Sequence, residues 1–551
     1  MYVFLQWRMA TWFTVLLLTC LWTSACLCQT AEVLPDQACA PCHQKIYDSY
    51  QQTIMAKASG KAADGLVTGD FFHKPSGVEY RVFTKDNRTW MSYERDAEPK
   101  LRGQRELLYY IGSGRKGRSY LFSVQGFLFE SPINWYSQES RWNMAPAYTD
   151  AHQIPMNLPL VTDCLICHAS GVQAPVAGTQ NRYVARPFLH DGITCERCHG
   201  SGTAHLDGKG PIVNPAKLPA ARRDSICMEC HFEGSVAIEQ PGKKLYQFEP
   251  GDDLSDYIHY FLLTGTAQQS VEAVSQTEAL SLSVCKQRSG DRMSCTSCHD
   301  PHYEPSSGER VAYYRDKCLA CHGETFGAKH HSDKPDCTSC HMPELPSKDV
   351  AHTQATDHQI LRFPRAQMAQ LQQESSIPRL IAFPATQQGK ETPRDLGLAW
   401  ENLAQRGIEG ASTMADHNLK KALKDDPDDS AVMIALAFIE QEHGKTAEAQ
   451  QLYERGLEID PLSNEAATDF GVLEAKQDHL GHAVQLWQGA FEREPHRSEI
   501  GLNLAVAFCE SGQVQDARNY VQRVLSFNPD YDHARQLLKN MSKDPVSCKN
   551  Q

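Results

Sequence analysis

The residues with the clearest chemistry are cysteines and histidines that recur in the pattern Cys-x-x-Cys-His. Two thiols at positions i and i+3 lie on one side of a helical turn, where they can form thioethers to the two vinyl groups of one haem. The histidine that follows then faces the iron as an axial ligand. Seven copies are present: Cys39-Cys42-His43, Cys164-Cys167-His168, Cys195-Cys198-His199, Cys227-Cys230-His231, Cys295-Cys298-His299, Cys318-Cys321-His322 and Cys337-Cys340-His341. The sequence therefore predicts seven covalent haems c.

Disulfides and zinc sites fit this cysteine pattern less well than haem does. Twenty cysteines in one chain would ordinarily indicate a disulfide framework or zinc ribbons. Neither requires a histidine after every second cysteine, whereas haem attachment does. Cys285 lies outside the motifs and precedes Lys286, but Leu282 stands where a Cys-x-x-Cys-Lys motif needs its first cysteine. We therefore expect Cys285 to be a free or packed thiol.

Each haem iron has a second axial position, and the histidines outside the motifs are its candidates. His302 follows His299 by three residues, so it cannot turn back onto the same iron and suits a neighbouring haem. An iron with two histidines passes electrons, whereas an open iron could bind nitrite, hydroxylamine or hydrogen peroxide. His190 and His259 are left undecided. The predicted second ligands are His73, His152, His205, His302, His331, His352 and His358.

The elements that must position these residues are unevenly distributed. One motif lies within residues 29–70, six lie within 160–345, and none lies within 71–160. The cysteine-free stretch predicts strand pairs that turn at Asp86-Asn87 and at Gly126. Around the six motifs hydrophobic periodicity is weak, so we expect stacked haems to supply the core. The predicted fold is mainly α, with a haem-packed core of little regular structure and a small β-rich insert.

The C-terminal part of the chain repeats itself. Pro427, Pro461, Pro495 and Pro529 follow one another at intervals of 34 residues, and alanines at 415, 449, 483 and 517 share that phase. A 34-residue period with a small residue at a helix crossing and a closing proline is typical of tetratricopeptide (TPR) repeats. We predict a haem domain over 29–362, a linker over 363–394, and four repeats with a capping helix over 395–545.

The N-terminus and the net charge bear on location and partners. Residues 1–28 contain one arginine, an apolar stretch and then small residues, which predicts an export signal and a periplasmic or secreted protein. An uncleaved anchor is the alternative, and it is the only membrane contact we expect. The net charge of −13 argues against a nucleic-acid partner. It predicts instead that a soluble redox partner presents a basic patch.

These motifs give the chain a recognisable resemblance. The haem region resembles multihaem cytochromes of the cytochrome c-554 type, a superfamily that shares its haem packing with hydroxylamine oxidoreductase and pentahaem nitrite reductase. More closely, the chain is similar to bacterial proteins that join such a core to TPR repeats. The resemblance implies haems with two histidine ligands in parallel and perpendicular stacks. The matching stretches begin at Cys39, Tyr110, Trp142, Gly192, Cys295 and Cys337.

Three functions fit these observations. The preferred prediction is an electron carrier whose repeats dock a redox protein. The alternatives are an oxidoreductase that acts on a small nitrogen or sulfur compound at one open haem, and a scaffold that tethers other redox proteins. The Cys-x-x-Cys-Lys motif of some nitrite reductases is absent from the sequence, and no tyrosine cross-link of the hydroxylamine oxidoreductase type can be recognised in it. Both points weigh against the enzymatic alternative.

Overall fold

Three kinds of structure occur in the chain: an antiparallel sheet, short helices that carry the cysteine motifs, and a series of helix pairs. The computed structural model describes residues 33–154, 156–264, 276–323, 334–346, 354–362 and 378–543. The predicted signal peptide, His331, His352 and the predicted linker before residue 378 lie outside the described residues. None of the helices described is long and apolar enough to cross a bilayer.

The cysteine-free stretch folds into an eight-stranded antiparallel sheet. The prediction of a small insert in a mainly α fold was therefore wrong in extent. Strands two to eight neighbour one another in chain order, and strand one pairs with strand five. The strands are β1 (Ser59–Lys61), β2 (Gly69–His73), β3 (Val78–Lys85), β4 (Arg88–Arg95), β5 (Leu101–Ile111), β6 (Gly117–Val124), β7 (Phe127–Tyr136) and β8 (Arg141–Met144).

The alternation of apolar and polar residues accounts for this sheet. From Val78 to Val82 in β3 every second side chain is buried, and the residues between them are exposed. The predicted turns are confirmed, since Asp86 and Asn87 have φ values of 50° and 57°, which suit a tight hairpin. The sheet curves until its ends meet: a Cβ on Gly69 of β2 would lie 3.2 Å from Trp142 Cδ1 of β8.

Short elements hold the motifs around this sheet. Little of this region is regular, as predicted. The helices are α1 (Ala40–Tyr50), α2 (Thr162–Ile166), α3 (Glu196–His199), α4 (Thr203–Leu206), α5 (Ala220–His231), α6 (Gln276–Ser281), α7 (Val284–Ser289), α8 (Arg310–His322) and α9 (Thr338–His341). The strands are β9 (Ala169–Val172), β10 (Phe188–Asp191), β11 (Val236–Glu239), β12 (Ile258–Thr264), β13 (Glu344–Pro346), β14 (Gln354–Thr356) and β15 (Arg379–Phe383).

Two features of this region differ from expectation. An ordinary apolar core is present beside the motifs, where Ile226, Met228 and Phe232 pack against Tyr260 and other aromatic side chains. In addition, the C-terminal end of the predicted linker is structured, because β15 pairs antiparallel with β12 and completes a three-stranded sheet. The sequence before β15 is rich in Gln, Pro and Ser, which hid the strand that follows it.

The C-terminal region consists of four antiparallel helix pairs and one further helix, in agreement with the predicted repeats and cap. The alanines at the repeated helix crossing, such as Ala449, are fully buried, because a larger side chain would separate the two helices. The helices are α10 (Pro393–Gln405), α11 (Ala411–Asp425), α12 (Ser430–Glu442), α13 (Thr446–Ile459), α14 (Asn464–Lys476), α15 (Leu480–Arg493), α16 (Ser498–Glu510), α17 (Val514–Phe527) and α18 (Asp532–Lys543).

The repeats are packed against the rest of the chain at both ends of the series. At one end, Trp400 of α10 belongs to the same apolar cluster as Val236 and Phe261 of the three-stranded sheet. At the other end, Phe527 of α17 packs edge-on against Phe127 and Phe129 of β7. The repeat domain is thus fixed in position relative to the motifs.

Candidate haem-attachment sites

The motif cysteines have the state and the local geometry that haem attachment requires. All fourteen are free thiols. The backbone amide of the motif histidine donates to the carbonyl of the first cysteine in one helical turn, at 3.0 Å for His43 and for His199, and 2.9 Å for His299. This turn places both thiols and the imidazole on one side of the backbone. The residues therefore fit haem c.

Several motif histidines are oriented by a hydrogen bond at Nδ1. The Nδ1 atoms of His199 and His341 lie 2.8 Å from Val213 O and 2.6 Å from Leu361 O. A carbonyl partner fixes the proton on Nδ1 and leaves the lone pair of Nε2 for a metal. At His299, the Tyr314 hydroxyl lies 3.2 Å from Nδ1. These contacts are the outer-shell bonds expected of iron-ligating histidines.

Burial keeps three of the motif histidines neutral, which is the form that binds a metal. Burial lowers the pKa of His168 and of His231. It also lowers the pKa of His299 to about 4, with a further contribution from His358 and His231 nearby. At neutral pH these imidazoles are therefore unprotonated at one nitrogen.

The seven motifs, numbered here in chain order, form one continuous series of contacts. The thiols of Cys39 and Cys195 lie close together, so motif one neighbours motif three. Motif two neighbours motif four, because Cys167 Sγ donates to Glu229 O at 3.8 Å and Cys230 Sγ donates to Ile166 O at 3.9 Å. Cys227 lies close to Cys295, and Cys318 lies close to Cys337, so motif four neighbours motif five and motif six neighbours motif seven. Cys198 lies close to Cys230, and Cys298 lies close to Cys321, which completes the series. Neighbouring motifs would therefore hold their haems side by side.

Two of the predicted second ligands lie near a motif histidine. The ring centroids of His302 and His199 are 5.9 Å apart with an interplanar angle of 14°. Those of His358 and His299 are 6.3 Å apart at 33°. Two imidazoles on opposite sides of one metal, with metal–nitrogen bonds of about 2 Å, have centroids about 6 Å apart. The structure therefore brings these two pairs to the separation that a shared iron requires.

Other predicted second ligands are placed differently. His73 is buried in the sheet with Nδ1 2.8 Å from Ser76 Oγ and Nε2 2.9 Å from Thr149 O. Because both nitrogens are engaged, this geometry contradicts its assignment as an iron ligand. The structure leaves His152 and His205 exposed, on a loop and on α4, and brings neither to a motif histidine by any contact described.

The structure also shows where His190, His259 and Cys285 lie. His190 lies in β10. Nδ1 of His259 lies 2.9 Å from Asp395 Oδ2, so this histidine joins β12 to the repeat domain. Cys285 is a free thiol close to Cys298 and Cys318. Beside it, Lys286 Nζ donates to Met293 O at 2.6 Å, so this amine is held by the backbone.

Sequence reasoning missed Arg197 and Glu229, which occupy variable positions inside motifs three and four. Arg197 donates to Glu229 at 2.5 Å, and the glutamate is almost completely buried. The signal was present in the sequence, because a charged residue between two haem-anchoring cysteines has little room and needs a partner. The partner of Arg197 could not be predicted, because Glu229 reaches it only when two separate segments come together in the fold.

Comparison with known proteins agrees with these observations. The family "Cytochrome c554 and c-prime" matches residues 136–200, and the family "Doubled CXXCH motif" matches 288–327. The "Tetratricopeptide repeat" family matches 415–468 and 475–541. With the free thiols and the oriented histidines, these matches define a c-type cytochrome. The chain is a multihaem cytochrome fused to a TPR domain.

Two solved structures resemble part of the chain. The crystal structure of MamA has 19% sequence identity, covers 26% of this chain and 84% of its own, and gives a TM-score of 0.24. The Pseudomonas aeruginosa PilF structure has 21% identity, covers 28% of this chain and 71% of its own, and gives 0.25. No curated protein matches the chain.

Proposed function

We propose that this chain is an exported electron carrier that binds seven haems c and docks a redox protein through its repeats. The observation that carries the proposal is the continuous series of contacts among the seven motifs. Haem c supplies a reversible one-electron centre at each motif. The chain positions these centres side by side, so that an electron entering at one motif can reach another.

The protein's own residues favour transfer over catalysis. His302 and His358 lie near His199 and His299, so both axial positions of those two irons would be occupied. An iron with two histidine ligands has no free position for a substrate. The apolar cluster that contains Met228 and Phe232 packs against Cys167 and Cys198 of motifs two and three.

An oxidising location agrees with the one disulfide-bonded cysteine among the described residues. Cys509 of α16 is 4% exposed and disulfide-bonded, and the other described cysteines are free. Structural disulfides persist outside the cytosol, as does haem c. This supports the proposed export, to which the N-terminal sequence also points.

Mass spectrometry of the purified protein tests the haem count. We expect the intact mass to exceed that of the processed chain by seven haems, and peptide mapping to find a haem on each motif. The same experiment identifies the N-terminal residue and so shows whether the predicted export signal has been removed. A smaller number of haems, or a mature chain that begins at Met1, would contradict the proposal on that point.

A further inference from the structure

Four carboxyl groups on the repeats lie together and are here called the acidic groove: Glu401 of α10, Glu442 of α12, and Glu465 and Asp469 of α14. These are the first helices of three successive repeats. Glu401 is 7% exposed and forms the floor, Asp469 is half-buried, and Glu442 and Glu465 lie at the rim. Gln405 joins the two sides, because its amide donates to Glu401 at 2.5 Å and to Glu465 at 3.4 Å.

The charge of the acidic groove is only partly compensated. Burial, followed by the charge of Glu465, raises the pKa of Glu401 to about 7 and that of Asp469 to about 6. Arg497 offsets part of the rise at Asp469. The groove thus holds carboxyl groups close together at a cost in free energy.

A buried acid elsewhere in the same domain shows the contrast. Glu440 of α12 is paired with Lys420 at 2.7 Å and with Lys445 at 2.6 Å. Burial alone would raise the pKa of Glu440, but the hydrogen bonds from these two lysines lower it. The repeat domain therefore supplies lysines to one acidic position and leaves the acidic groove open.

An unpartnered hydroxyl lies near the same carboxyl groups. Tyr453 of α13 is completely buried, and its hydroxyl has no hydrogen-bond partner among the described residues. After burial, the largest contributions that raise its pKa come from Asp469, Glu465, Glu401 and Glu442. A buried polar group without a partner is rare in native structures and calls for a missing partner. Here the missing partner must also suit four carboxyl groups.

We propose that the acidic groove binds a lysine- or arginine-bearing segment of a redox protein. The inference rests on the proposed electron-carrier function and names the chemistry of the partner. An ammonium or guanidinium group offers several donors, which suit the carboxylates, and a long apolar stem, which suits a groove. Repeat proteins present extended surfaces that fit such a segment.

Two other occupants, a metal ion and a second copy of this chain, are disfavoured. Among the described residues, the one group whose ligand atoms lie within 4.8 Å of one another is Asp416, Glu440 and His443, and lysines pair with its two acids. The carboxyl groups of the acidic groove do not converge in this way. A second copy of this chain is disfavoured as well, since each copy has a net charge of −13.

The position of the groove suits electron transfer. Asn464, next to Glu465, donates to the carbonyl of Gly178 at 2.8 Å. Gly178 lies on the segment between motifs two and three. A partner held in the acidic groove would therefore rest beside the haem region.

A binding assay on the haem-loaded full chain tests this inference. The probe is a fluorescent peptide of alternating lysine and alanine, and a peptide with glutamine in place of lysine is its control. In the groove variant, Glu401→Gln, Glu465→Gln and Asp469→Asn remove three negative charges. The matched variant, Glu448→Gln, Glu454→Gln and Glu458→Gln, removes three from the exposed face of α13.

We expect the groove variant to bind the lysine peptide at least about tenfold more weakly, and the matched variant less than about twofold more weakly. Tyr453→Phe, which removes only the hydroxyl, should weaken binding without altering helix content. Equal weakening by both triple variants, equal binding of the glutamine peptide, or displacement of the lysine peptide by micromolar Ca²⁺ would overturn the inference. If the groove variant does not fold, binding of the lysine peptide by the single variants Glu465→Gln and Tyr453→Phe tests the inference. Haem content and spin state, measured on the same samples, report separately on the electron-carrier function.

Discussion

Arg197 and Glu229 form a buried ion pair whose two members lie inside two different haem-attachment motifs. The guanidinium donates to Glu229 Oε1 at 2.5 Å and to the carbonyl of Ile166 at 3.3 Å. Ile166 is itself a variable residue of motif two. One arginine therefore connects motifs two, three and four. Motif four is the branch point of the series, because it lies next to motifs two, three and five.

Breaking this pair should cost much more stability than breaking an exposed one. Arg197→Met leaves the Glu229 carboxylate buried without its counter-charge, for which we expect a loss of about 3–5 kcal/mol. The measurement is denaturant unfolding of the haem-loaded protein. Arg81→Met is the control, because Arg81 and Asp70 pair at the surface, where solvent screens the pair and its loss should change stability little. Equal losses in both variants would show that Arg197 does not hold the motifs together.

The second axial ligands can be tested one at a time. We expect His302→Ala and His358→Ala each to turn one iron high-spin, and the double variant to turn two, because each histidine lies near a different motif histidine. Electron paramagnetic resonance of the ferric protein counts these irons. His417→Ala, an exposed histidine on α11, should change nothing. If neither single variant yields a high-spin iron, the pairings with His199 and His299 are wrong.

The contact between the repeats and the sheet depends on Asp530. Its completely buried carboxylate accepts from Arg95 at 2.9 and 2.5 Å and from Arg535 at 2.8 Å. Asp530→Ala should cost about 3–5 kcal/mol because it leaves Arg95 buried and unpaired. Hydrogen exchange should then rise in β4 and α18 together. Lys539→Ala, which alters an exposed residue of α18, is the control, and a similar increase there would contradict the assignment.

The acidic groove should make stability depend on pH. The pKa of Glu401 rises from 4.5 to about 7 on folding, so the folded state binds more protons between these values and stability falls as pH rises through them. Glu401→Gln should remove this fall and stabilise the protein by about 2–3 kcal/mol at pH 8. Thermal unfolding of both proteins at pH 5 and pH 8 measures this change in stability with pH. Glu448→Gln should leave the pH dependence unchanged.

Local patterns predicted much of the fold. The turn at Asp86-Asn87 and the repeats of 34 residues were readable because each depends on residues close in sequence. The extent of the sheet was not readable. Most of β7 is buried, because Phe129 packs against the repeat domain while Leu128 faces another cluster. A strand covered on both faces loses the alternation that identifies a strand.

The candidate haem-attachment sites could likewise be predicted from the sequence only in part. The motif residues were predicted because attachment chemistry fixes their spacing along the chain. The second ligands were harder, because a partner such as His302 reaches His199 only through the folding of distant segments. His73 shows the same limit: a buried histidine whose nitrogens bond Ser76 and Thr149 cannot be told from an iron ligand by its surroundings in sequence.

The most direct test of the account is an electron paramagnetic resonance spectrum of the fully haem-loaded ferric protein. If the chain is an electron carrier, every iron has two axial ligands from the protein, and the spectrum contains low-spin signals alone. A high-spin signal that accounts for one iron per chain would contradict this. It would show an open haem and favour an oxidoreductase that acts on a small nitrogen or sulfur compound.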